Sequence, residues 1–290
     1  MRIVDRWKAA ARQKLQHAVA EVVAAEAARS EERQEERQEE RATGVTNTLG
    51  ETQHQLDDVL DRLADVRDRL DEVIRRQNEL EFRARRDVWY ARDVRVTGET
   101  AAFVLENMPT AAVFWDPHDT LRFALGEIKG PGLALEFGVA TGTTLGIIAE
   151  TVAGDRTVVG FDSFNGLPET WRTGFPAGEF AQDPPTHIDG ATVVSGLFEE
   201  TLPAFLADND EPIAFMHLDA DLYSSTKTVL DLTSDRIAPD AVLVLDEFFN
   251  YPGWQQHEFR AFHEFIEKTG RTFEYLGYTG NNEQVVVRVH

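Results

Sequence analysis

The chain has 290 residues and a formal net charge of −22, with 42% hydrophobic residues, 10% aromatic residues and no cysteine. This composition can supply a sizeable buried core, and it excludes disulfides, thiol nucleophiles and thiolate metal sites. Residues 98–290 contain 30 acidic and 10 basic residues. This part of the chain would repel phosphate backbones, so we expect no nucleic-acid partner.

The sequence contains no apolar run long enough to form a transmembrane helix. Its N-terminus also lacks the apolar core of a secretory signal peptide. Together with the absence of cysteine, this predicts a cytoplasmic protein, either free or held peripherally at the inner face of the membrane.

Residues 1–44 form a charged helical segment with a basic amphipathic start. In "MRIVDRWKAAARQKLQ" one helical face carries apolar side chains among basic ones: Ile3, Val4, Trp7, Ala11 and Leu15. Residues 1–15 are therefore expected either to contact an anionic membrane surface or to dock onto the protein's own oligomer. The repeat "EERQEERQEER" at 31–41 pairs Glu with Arg at i,i+4, which is typical of a solvated helical spacer.

Residues 45–96 carry a heptad pattern that predicts a coiled coil and a homo-oligomer. The a positions are Leu49, Leu56, Leu63, Leu70 and Gln77, and the d positions are Val45, Thr52, Val59, Val66, Val73 and Leu80. Leucine at a with a β-branched residue at d is not the pattern of a dimer, and Leu60 and Ile74 widen the stripe. The pattern favours more than two helices.

From residue 97 onward, apolar runs alternate with helical patterns. Seven strands are predicted at 133–138, 157–162, 191–196, 213–219, 241–248, 272–279 and 284–290. Helices are predicted at about 143–152, 199–207, 223–235 and 256–269. Residues 97–290 should therefore form an α/β domain with a doubly wound, mostly parallel seven-stranded sheet, preceded by the long helical coiled coil.

Ligand-binding residues in such a sheet lie beyond the carboxyl ends of the strands. The first predicted strand ends in "LEFGVATGTT", where Gly138 and Gly142 allow a sharp turn and Glu136 replaces the first glycine of a dinucleotide fingerprint. An acid there would repel pyrophosphate but suit a cationic amino-acid group. Asp162 ends the second strand, where a carboxylate can accept two ribose hydroxyls. The small residues Ser195 and Gly196 end the third strand and leave room for a flat base.

This order of residues resembles class I S-adenosylmethionine-dependent methyltransferases. "GFDSFNGLPETW", "SGLFEETLPAFL", "HLDADLYSSTKTVLD" and "VLVLDEFFNYPGWQQHEFRAFHEF" further resemble the macrocin O-methyltransferase family over about residues 97–290. The resemblance implies a class I Rossmann-like fold, S-adenosylmethionine, magnesium and methylation of sugar hydroxyls. It does not extend to the first 96 residues.

Asp219 ends the fourth predicted strand and Asp221 follows it, while Asp246 and Glu247 lie at the end of the fifth. Residues two apart in an extended chain face the same side, so these carboxylates should converge at one crevice and require a hard divalent cation such as Mg²⁺. The resemblance implies that Asp219, Asp246 and Glu247 are the metal ligands and that Asp221 is the general base. The family usually has Asp-Asp-Tyr where this chain has Asp246-Glu247-Phe248, which puts Glu247 in question as a ligand.

Two histidines compete for a role in catalysis. His217 lies within an apolar run, where a buried, hydrogen-bonded histidine is the favoured interpretation. His257 lies in the loop after the fifth strand and is the better candidate for contact with the substrate, the alternative being a surface residue that begins a helix. The long connection at 163–190 contains Trp171, Phe175 and Phe180 and is expected either to cover cofactor and sugar or to pack as a surface loop.

These residues support three functional hypotheses to different degrees. The favoured hypothesis is an Mg²⁺-dependent O-methyltransferase that acts on a sugar or glycosylated acceptor. The alternative is a coiled-coil scaffold whose α/β domain binds a nucleotide-like ligand without catalysis. A nicotinamide-dependent dehydrogenase is disfavoured because Glu136 interrupts the glycine fingerprint.

Overall fold

A computed structural model describes residues 2–152 and 154–290 of the chain, and only the backbone of residues 2–5. The predicted apolar positions Ile3 and Val4 therefore lie outside the described side chains. The chain divides into two compact units, Met1–Arg85 and Arg86–His290. We describe each unit by itself.

The first unit is one long helix, α1 (Arg2–Arg86). It contains the basic amphipathic start, the charged spacer and nearly all of the heptad pattern. The heptad leucines Leu49, Leu56, Leu63 and Leu70 are 51–65% exposed on its surface. The helical prediction is confirmed here, while assembly through this stripe stays a prediction. Among the described residues, no helix is long and apolar enough to cross a membrane.

The second unit alternates helices and strands. In chain order, its elements are α2 (Val88–Asn107), β1 (Ala112–Phe114), α3 (Pro117–Gly126), β2 (Leu133–Phe137), α4 (Thr143–Val152), β3 (Val158–Asp162), β4 (Thr192–Ser195), α5 (Phe198–Asp208), β5 (Ile213–Leu218), α6 (Tyr223–Thr233), β6 (Ile237–Leu245), a 3₁₀ turn (Trp254–Gln256), α7 (Glu258–Thr269), β7 (Phe273–Thr279) and β8 (Val285–Val289).

The strands form one mixed, mostly parallel sheet with the order β1-β7-β8-β6-β5-β2-β3-β4. Strand β8 is antiparallel to both β6 and β7, and the other neighbouring pairs are parallel. From β2 the chain proceeds through β3 and β4 to one edge, and then returns to place β5 on the other side of β2. The switch point is therefore the β2–β5 junction, where ligands bind in such sheets.

Strand β2 shows how the sheet builds its two cores. Leu133, Leu135 and Phe137 join a hydrophobic cluster with α6, α7 and α2, while Ala134 joins a second cluster with α3 and α4. This alternation follows from the two-residue period of a strand. It places Glu136 on the face of Ala134, although the side chain is fully buried.

The α/β prediction is confirmed, with two differences. The sheet has eight strands rather than seven, because the three-residue edge strand β1 is too short to produce a sequence pattern. Helices α2 and α3 were also not predicted. The side chain of Asp87 caps α2 by accepting hydrogen bonds from the N–H groups of Trp89 and Tyr90, and Val96 of α2 is buried in the core. The second unit thus begins before the expected position 97.

Candidate active site

A cavity of about 720 Å³ opens at the carboxyl ends of β2, β3, β5 and β6. Backbone hydrogen bonds continue past the strand ends and fix its floor. The N–H of Gly138 donates to Phe161 O at 2.9 Å, the N–H of Asp219 donates to Phe137 O at 2.9 Å, and the N–H of Asp246 donates to Leu218 O at 2.8 Å. The predicted site residues at these strand ends are therefore held by the sheet itself.

At Gly138 the backbone of the glycine turn comes very close to the backbone of Asp219. Its φ is 97°, and a Cβ atom at this position would collide with the backbone carbonyl of Asp219. Only glycine combines this conformation with the missing side chain. Gly142, with φ at 82°, completes the turn into α4. The glycine turn is thus required by the contact between β2 and β5 at the switch point.

Asp162 lines the cavity and organises the turn beside it. Its Oδ2 accepts hydrogen bonds from the N–H groups of Val139 and Ala140, both at 2.9 Å, and its Oδ1 accepts one from Phe164 at 2.7 Å. Each carboxylate oxygen can accept more than one hydrogen bond, so contact with ribose hydroxyls stays open to it. Gly196 also lines the cavity, whereas Ser195 is exposed and is not among the lining residues.

Three carboxylates converge on the cavity floor. Single oxygen atoms of Asp219, Asp221 and Glu247 all lie within 4.8 Å of one another. The chain is not extended here, because Asp221 has a φ of 58°. Aspartate is among the residues that tolerate this left-handed conformation best. The two aspartates therefore converge through a turn rather than through strand periodicity.

Asp246 belongs to a second group, which it forms with His217 and Asp219. His217 is 1% exposed, and its ring lies between two carboxylates. Nδ1 is 2.9 Å from Glu136 Oε1, and Nε2 is 3.3 Å from Asp246 Oδ1. The other oxygen of Asp246 accepts a hydrogen bond from Gln284 Nε2 at 3.1 Å. His217 is thus the buried, hydrogen-bonded histidine that the sequence favours.

Burial sets most of the electrostatics of this floor. It raises the pKa values of Glu136, Asp219 and Glu247, and the Asp246 carboxylate adds to the effect on the latter two. Burial, again with Asp246 nearby, raises the pKa of Asp221 to about 7. A carboxyl group with a pKa near 7 is suited to accept a proton at neutral pH.

The pKa values of His217 and Asp246 shift against the effect of burial, in the directions that favour the charged forms. Burial alone would lower the pKa of His217, but the hydrogen bonds to Asp246 and Glu136 outweigh it and raise this pKa well above its usual value. Burial would likewise raise the pKa of Asp246, yet the hydrogen bond from His217 leaves it lowered. Both shifts favour the charged forms of His217 and Asp246.

Glu258 is a functional-site residue that the sequence analysis missed. It lies at the start of α7, is fully buried, and its Oε2 accepts a hydrogen bond from the N–H of Glu247 at 2.9 Å. Its Oε1 accepts a hydrogen bond from Thr226 Oγ1 at 3.1 Å. Burial raises the pKa of Glu258 to about 8. The only sequence signal is a glutamate beside the apolar positions of an amphipathic helix.

His257 is not among the residues that line the cavity. It lies between the 3₁₀ turn and α7, with its ring centroid 5.8 Å from that of Tyr251. Burial, followed by the charge of Arg172, lowers the pKa of His257. Contact between His257 and a substrate is therefore not supported by the cavity's lining, and its role stays a prediction.

The long connection at 163–190 contributes aromatic side chains to the cavity. Trp171, Phe175 and Phe180 all line it. The Arg172 guanidinium stacks 3.8 Å from the centroid of the Trp171 ring, and its Nη1 is 3.1 Å from Glu283 Oε1. The segment therefore lines the cavity, and its role in covering cofactor and sugar stays a prediction.

The acidic floor fits a divalent cation. Glu247 is only 7% exposed, and its Oε2 atom is buried without a hydrogen-bond partner among the described residues. An unpartnered carboxylate oxygen beside two further carboxylates is costly without a compensating charge. The donors are all oxygens, which suits Mg²⁺.

The family model described as a methyltransferase domain matches residues 135–248. A search of curated proteins found no match.

Among solved structures, the calicheamicin methyltransferase CalS11 is similar with 26% identity over 59% of this chain and 76% of that one, at a TM-score of 0.49. The O-methyltransferase NovP has 21% identity, 59% and 78% coverage and a TM-score of 0.44. A Bacillus cereus O-methyltransferase in complex with SAH has 15% identity, 69% and 90% coverage and a TM-score of 0.41.

The matched segment begins in β2 and ends just after β6, so it contains the glycine turn, Asp162 and the acidic floor. The fold has its switch point at the same cavity. Residues 135–248 of the second unit are therefore similar to a methyltransferase domain, and the cavity at the switch point is lined by residues of this matched segment.

Proposed function

We propose that the protein is an Mg²⁺-dependent O-methyltransferase that methylates a hydroxyl of a sugar or glycosylated acceptor. The observation that carries this proposal is the convergence of Asp219, Asp221 and Glu247 beside Asp246, at the switch point of a methyltransferase sheet. A bound divalent cation would lower the pKa of a hydroxyl beside it and so favour methyl transfer to oxygen.

Asp219, Asp246 and Glu247 would hold the cation. When bound, it would supply a positive charge that lowers the pKa of a neighbouring hydroxyl, and S-adenosylmethionine would supply an electrophilic methyl group. Contacts with His217 and Gln284 already orient the carboxylate of Asp246. A hydrogen bond to Glu258 holds the backbone N–H of Glu247.

Asp221 would accept the proton of the acceptor hydroxyl. Its carboxylate is close to Asp219 and Glu247, and its pKa of about 7 keeps much of it ionised at neutral pH. A positioned base of this kind contributes a factor of about 10²–10⁴ to the rate.

The cofactor would lie over Gly138, Asp162 and Gly196, with Glu136 beneath the glycine turn. Gly138, Asp162 and Gly196 line the cavity, while Glu136 is buried under it. The aromatic side chains of Trp171 and Phe175 would cover the acceptor, since sugars stack on aromatic faces. Together these residues would exclude water from the transferred methyl group.

The N-terminal unit would assemble the enzyme. The exposed apolar stripe on α1 supports a homo-oligomeric coiled coil, because contiguous exposed apolar surface of this extent usually has a partner. Trp7 and Leu15 are 76% and 65% exposed, which supports peripheral contact of residues 1–15 with an anionic membrane. Flotation with vesicles rich in anionic lipid tests the membrane contact.

The proposal is tested by calorimetry with S-adenosylhomocysteine, followed by methyl-transfer assays on a panel of glycosides with Mg²⁺ or with EDTA. We expect binding of S-adenosylhomocysteine, and turnover that requires Mg²⁺. A chain that binds no S-adenosylhomocysteine under either condition, or one that methylates glycosides equally well in EDTA, contradicts the proposal.

A further inference from the structure

The solvent-facing side of α2 carries an apolar stripe, the α2 stripe, which consists of Val94, Gly98, Ala101 and Leu105. These residues follow one another at spacings of four, three and four, and all of them are exposed. Val94 is 56% exposed and Leu105 is 79% exposed. A helix at the surface of a domain normally has polar side chains on its solvent side, so an apolar outer stripe indicates a second contact surface.

The α2 stripe is not the side of α2 that packs on its own domain. Val96 and Thr100 are buried on the opposite side of the helix. The ring of Phe103 lies on that side too, with its centroid 5.4 Å from that of Trp254 and 5.7 Å from that of Phe259. These contacts fix the rotation of α2 about its axis. The α2 stripe therefore stays at the surface of the α/β unit.

The α2 stripe also carries no charge. All residues of α2 are described, and its charged residues lie on the flanks of the stripe or toward the inner side: Arg92, Asp93, Arg95, Glu99 and Glu106. On one flank, Arg95 Nε lies 3.6 Å from Glu99 Oε1. An apolar strip bordered by charged residues is the pattern of a seam between helices.

The α2 stripe continues the heptad frame of α1. Counting on in sevens from Gln77 and Leu80 gives the next frame positions: Ala84, Ala91, Gly98 and Leu105 at a, and Asp87, Val94 and Ala101 at d. All residues of the α2 stripe fall in this frame. The two helices are separated by one non-helical residue, Asp87, which caps α2. A frame that is kept across a helix break indicates a common partner for both helices.

Gly98 is not required by the packing of its own domain. A Cβ atom added to it would meet no surrounding atom within 4 Å. A glycine inside a helix costs about 0.5–1 kcal/mol relative to alanine. With Ala91 and Ala101, Gly98 leaves the outer side of α2 open to close approach by another helix. A second copy of the chain presents the same small residues and fits this surface.

The charges on α1 favour a parallel second copy. In the heptad frame, the g row precedes the a positions and holds arginines: Arg62, Arg69 and Arg76. An antiparallel pair would set this row against itself, and like charges that face each other are destabilising. A parallel pair sets it against the e row, which holds other residue types beside one arginine: Arg67, Ile74 and Glu81. The parallel arrangement therefore brings fewer arginines together, and it aligns the α2 stripes of the two copies.

We propose that α2 belongs to the assembly interface: the α2 stripe packs, parallel and in register, against the α2 stripe of a second copy. The contact joins neighbouring α/β units directly, in addition to the seam of α1. A short stripe with small residues buries little apolar surface, so this contact forms between copies that α1 already holds together. The inference rests on the proposed coiled-coil assembly and extends it into the α/β unit.

The test uses the absence of cysteine from the chain, because single introduced cysteines then react without a background. Ala101→Cys places a thiol at a d position of the α2 stripe, where like residues of two copies would come within reach of a disulfide. Glu99→Cys is the matched control on the flank of the same helix. Leu63→Cys reports on the seam of α1 itself. Each full-length variant is first checked by circular dichroism and then oxidised with diamide, and non-reducing gels follow the cross-linked fraction over time.

We expect Ala101→Cys to cross-link at least about tenfold faster than Glu99→Cys, because only the first thiol has disulfide geometry across the seam. Adding Leu105→Glu should slow the reaction of Ala101→Cys. Equal rates for Ala101→Cys and Glu99→Cys, or no cross-link at position 101 while Leu63→Cys reacts, overturn the proposal and end the seam at α1. If Leu63→Cys also fails to cross-link, the coiled-coil assembly on which the proposal rests is wrong as well.

Discussion

His217 and Asp246 lie on neighbouring strands of the sheet, with Nε2 of the histidine 3.3 Å from Oδ1 of the aspartate. The opposite ring nitrogen of His217 lies 2.9 Å from Glu136. The buried His217 ring is therefore within hydrogen-bonding distance of one carboxylate on each side. It connects β2, which lies under the glycine turn, with Asp246 at the end of β6.

We expect His217→Ala to lower the free energy of unfolding by about 3–5 kcal/mol, because it leaves two carboxylates buried without their partner. Chemical denaturation monitored by circular dichroism measures the change. The matched control is His187→Ala, which removes an exposed histidine that pairs with Asp189. The control should stay within about 0.5 kcal/mol of the wild type. Equal free energies of unfolding for the two variants would show that the contacts of His217 with Glu136 and Asp246 do not stabilise the fold.

Asp221→Asn tests the proposed base. We expect turnover to fall by a factor of about 10²–10⁴, while the affinities for S-adenosylhomocysteine and Mg²⁺ stay close to those of the wild type. Asparagine keeps the size of the side chain but cannot take the proton. Single-turnover assays and calorimetry measure the two quantities separately.

The result distinguishes three roles for Asp221. A parallel loss of Mg²⁺ affinity would make it a ligand, in keeping with its place beside Asp219 and Glu247. Unchanged turnover, or no turnover in the wild type despite ligand binding, would favour the scaffold alternative. Asp155→Asn serves as the control, since this residue lies on the surface after α4.

Stability without metal should depend on pH. The folded-state pKa values of Asp221 and Glu258 are raised to about 7 and about 8. A carboxyl group whose pKa is raised on folding stabilises the fold when it is protonated. This contribution is complete below the unfolded-state pKa and is lost as the pH rises through the folded-state value.

In EDTA we therefore expect the free energy of unfolding to be about 1–3 kcal/mol lower at about pH 8.5 than at about pH 5.5. Added Mg²⁺ should reduce this difference, because the cation compensates the ionised carboxylates. Glu258→Gln should also reduce it in EDTA. Urea titrations at both pH values measure the effect. Metal-free protein that is equally stable at both values would contradict the account of a strained acidic floor.

Removal of the N-terminal helix tests the coiled coil. Deletion of residues 1–85 follows the boundary between the two compact units and keeps α2, whose Val96 is part of the core. We expect a folded domain that binds S-adenosylhomocysteine but has a lower oligomeric state by light scattering. A truncated chain that keeps the assembly of the full-length protein would exclude a coiled-coil role.

A point variant separates the apolar stripe from the helix itself. Leu56→Asp with Leu63→Asp places charges in the proposed seam and should dissociate the oligomer. Asp57→Ala with Asp61→Ala changes neighbouring residues that are not assigned to the seam and should leave it assembled.

Much of this structure could be predicted because its strands are almost fully apolar. The continuous run of β5 and the polar residues that follow it indicate both a buried strand and its carboxyl end, which is how Asp219 and Asp221 were identified. Asp246 is indicated in the same way at the end of β6, whereas Glu136 is indicated by the glycine pattern that follows it. The left-handed turn at Asp221 could not be predicted, since it depends on contacts with other strands and not on a local sequence pattern.

The residues that escaped prediction act through partners far away in the chain. Glu258 holds the backbone of Glu247, and Gln284 orients Asp246, but each one looks locally like an ordinary polar residue at the start of an element. The pair of Arg172 and Glu283 spans 111 positions. Edge strand β1 is only three residues long, and its pairing with β7 leaves no periodicity to detect.

The most direct test of the central claim is a crystal structure of the full chain with S-adenosylhomocysteine and Mn²⁺, which replaces Mg²⁺ and can be located by its anomalous scattering. The account predicts an anomalous peak in contact with Asp219, Asp246 and Glu247, with the cofactor over Gly138 and Asp162. A Mn²⁺ ion bound away from these carboxylates, or no peak at a saturating concentration, would contradict it.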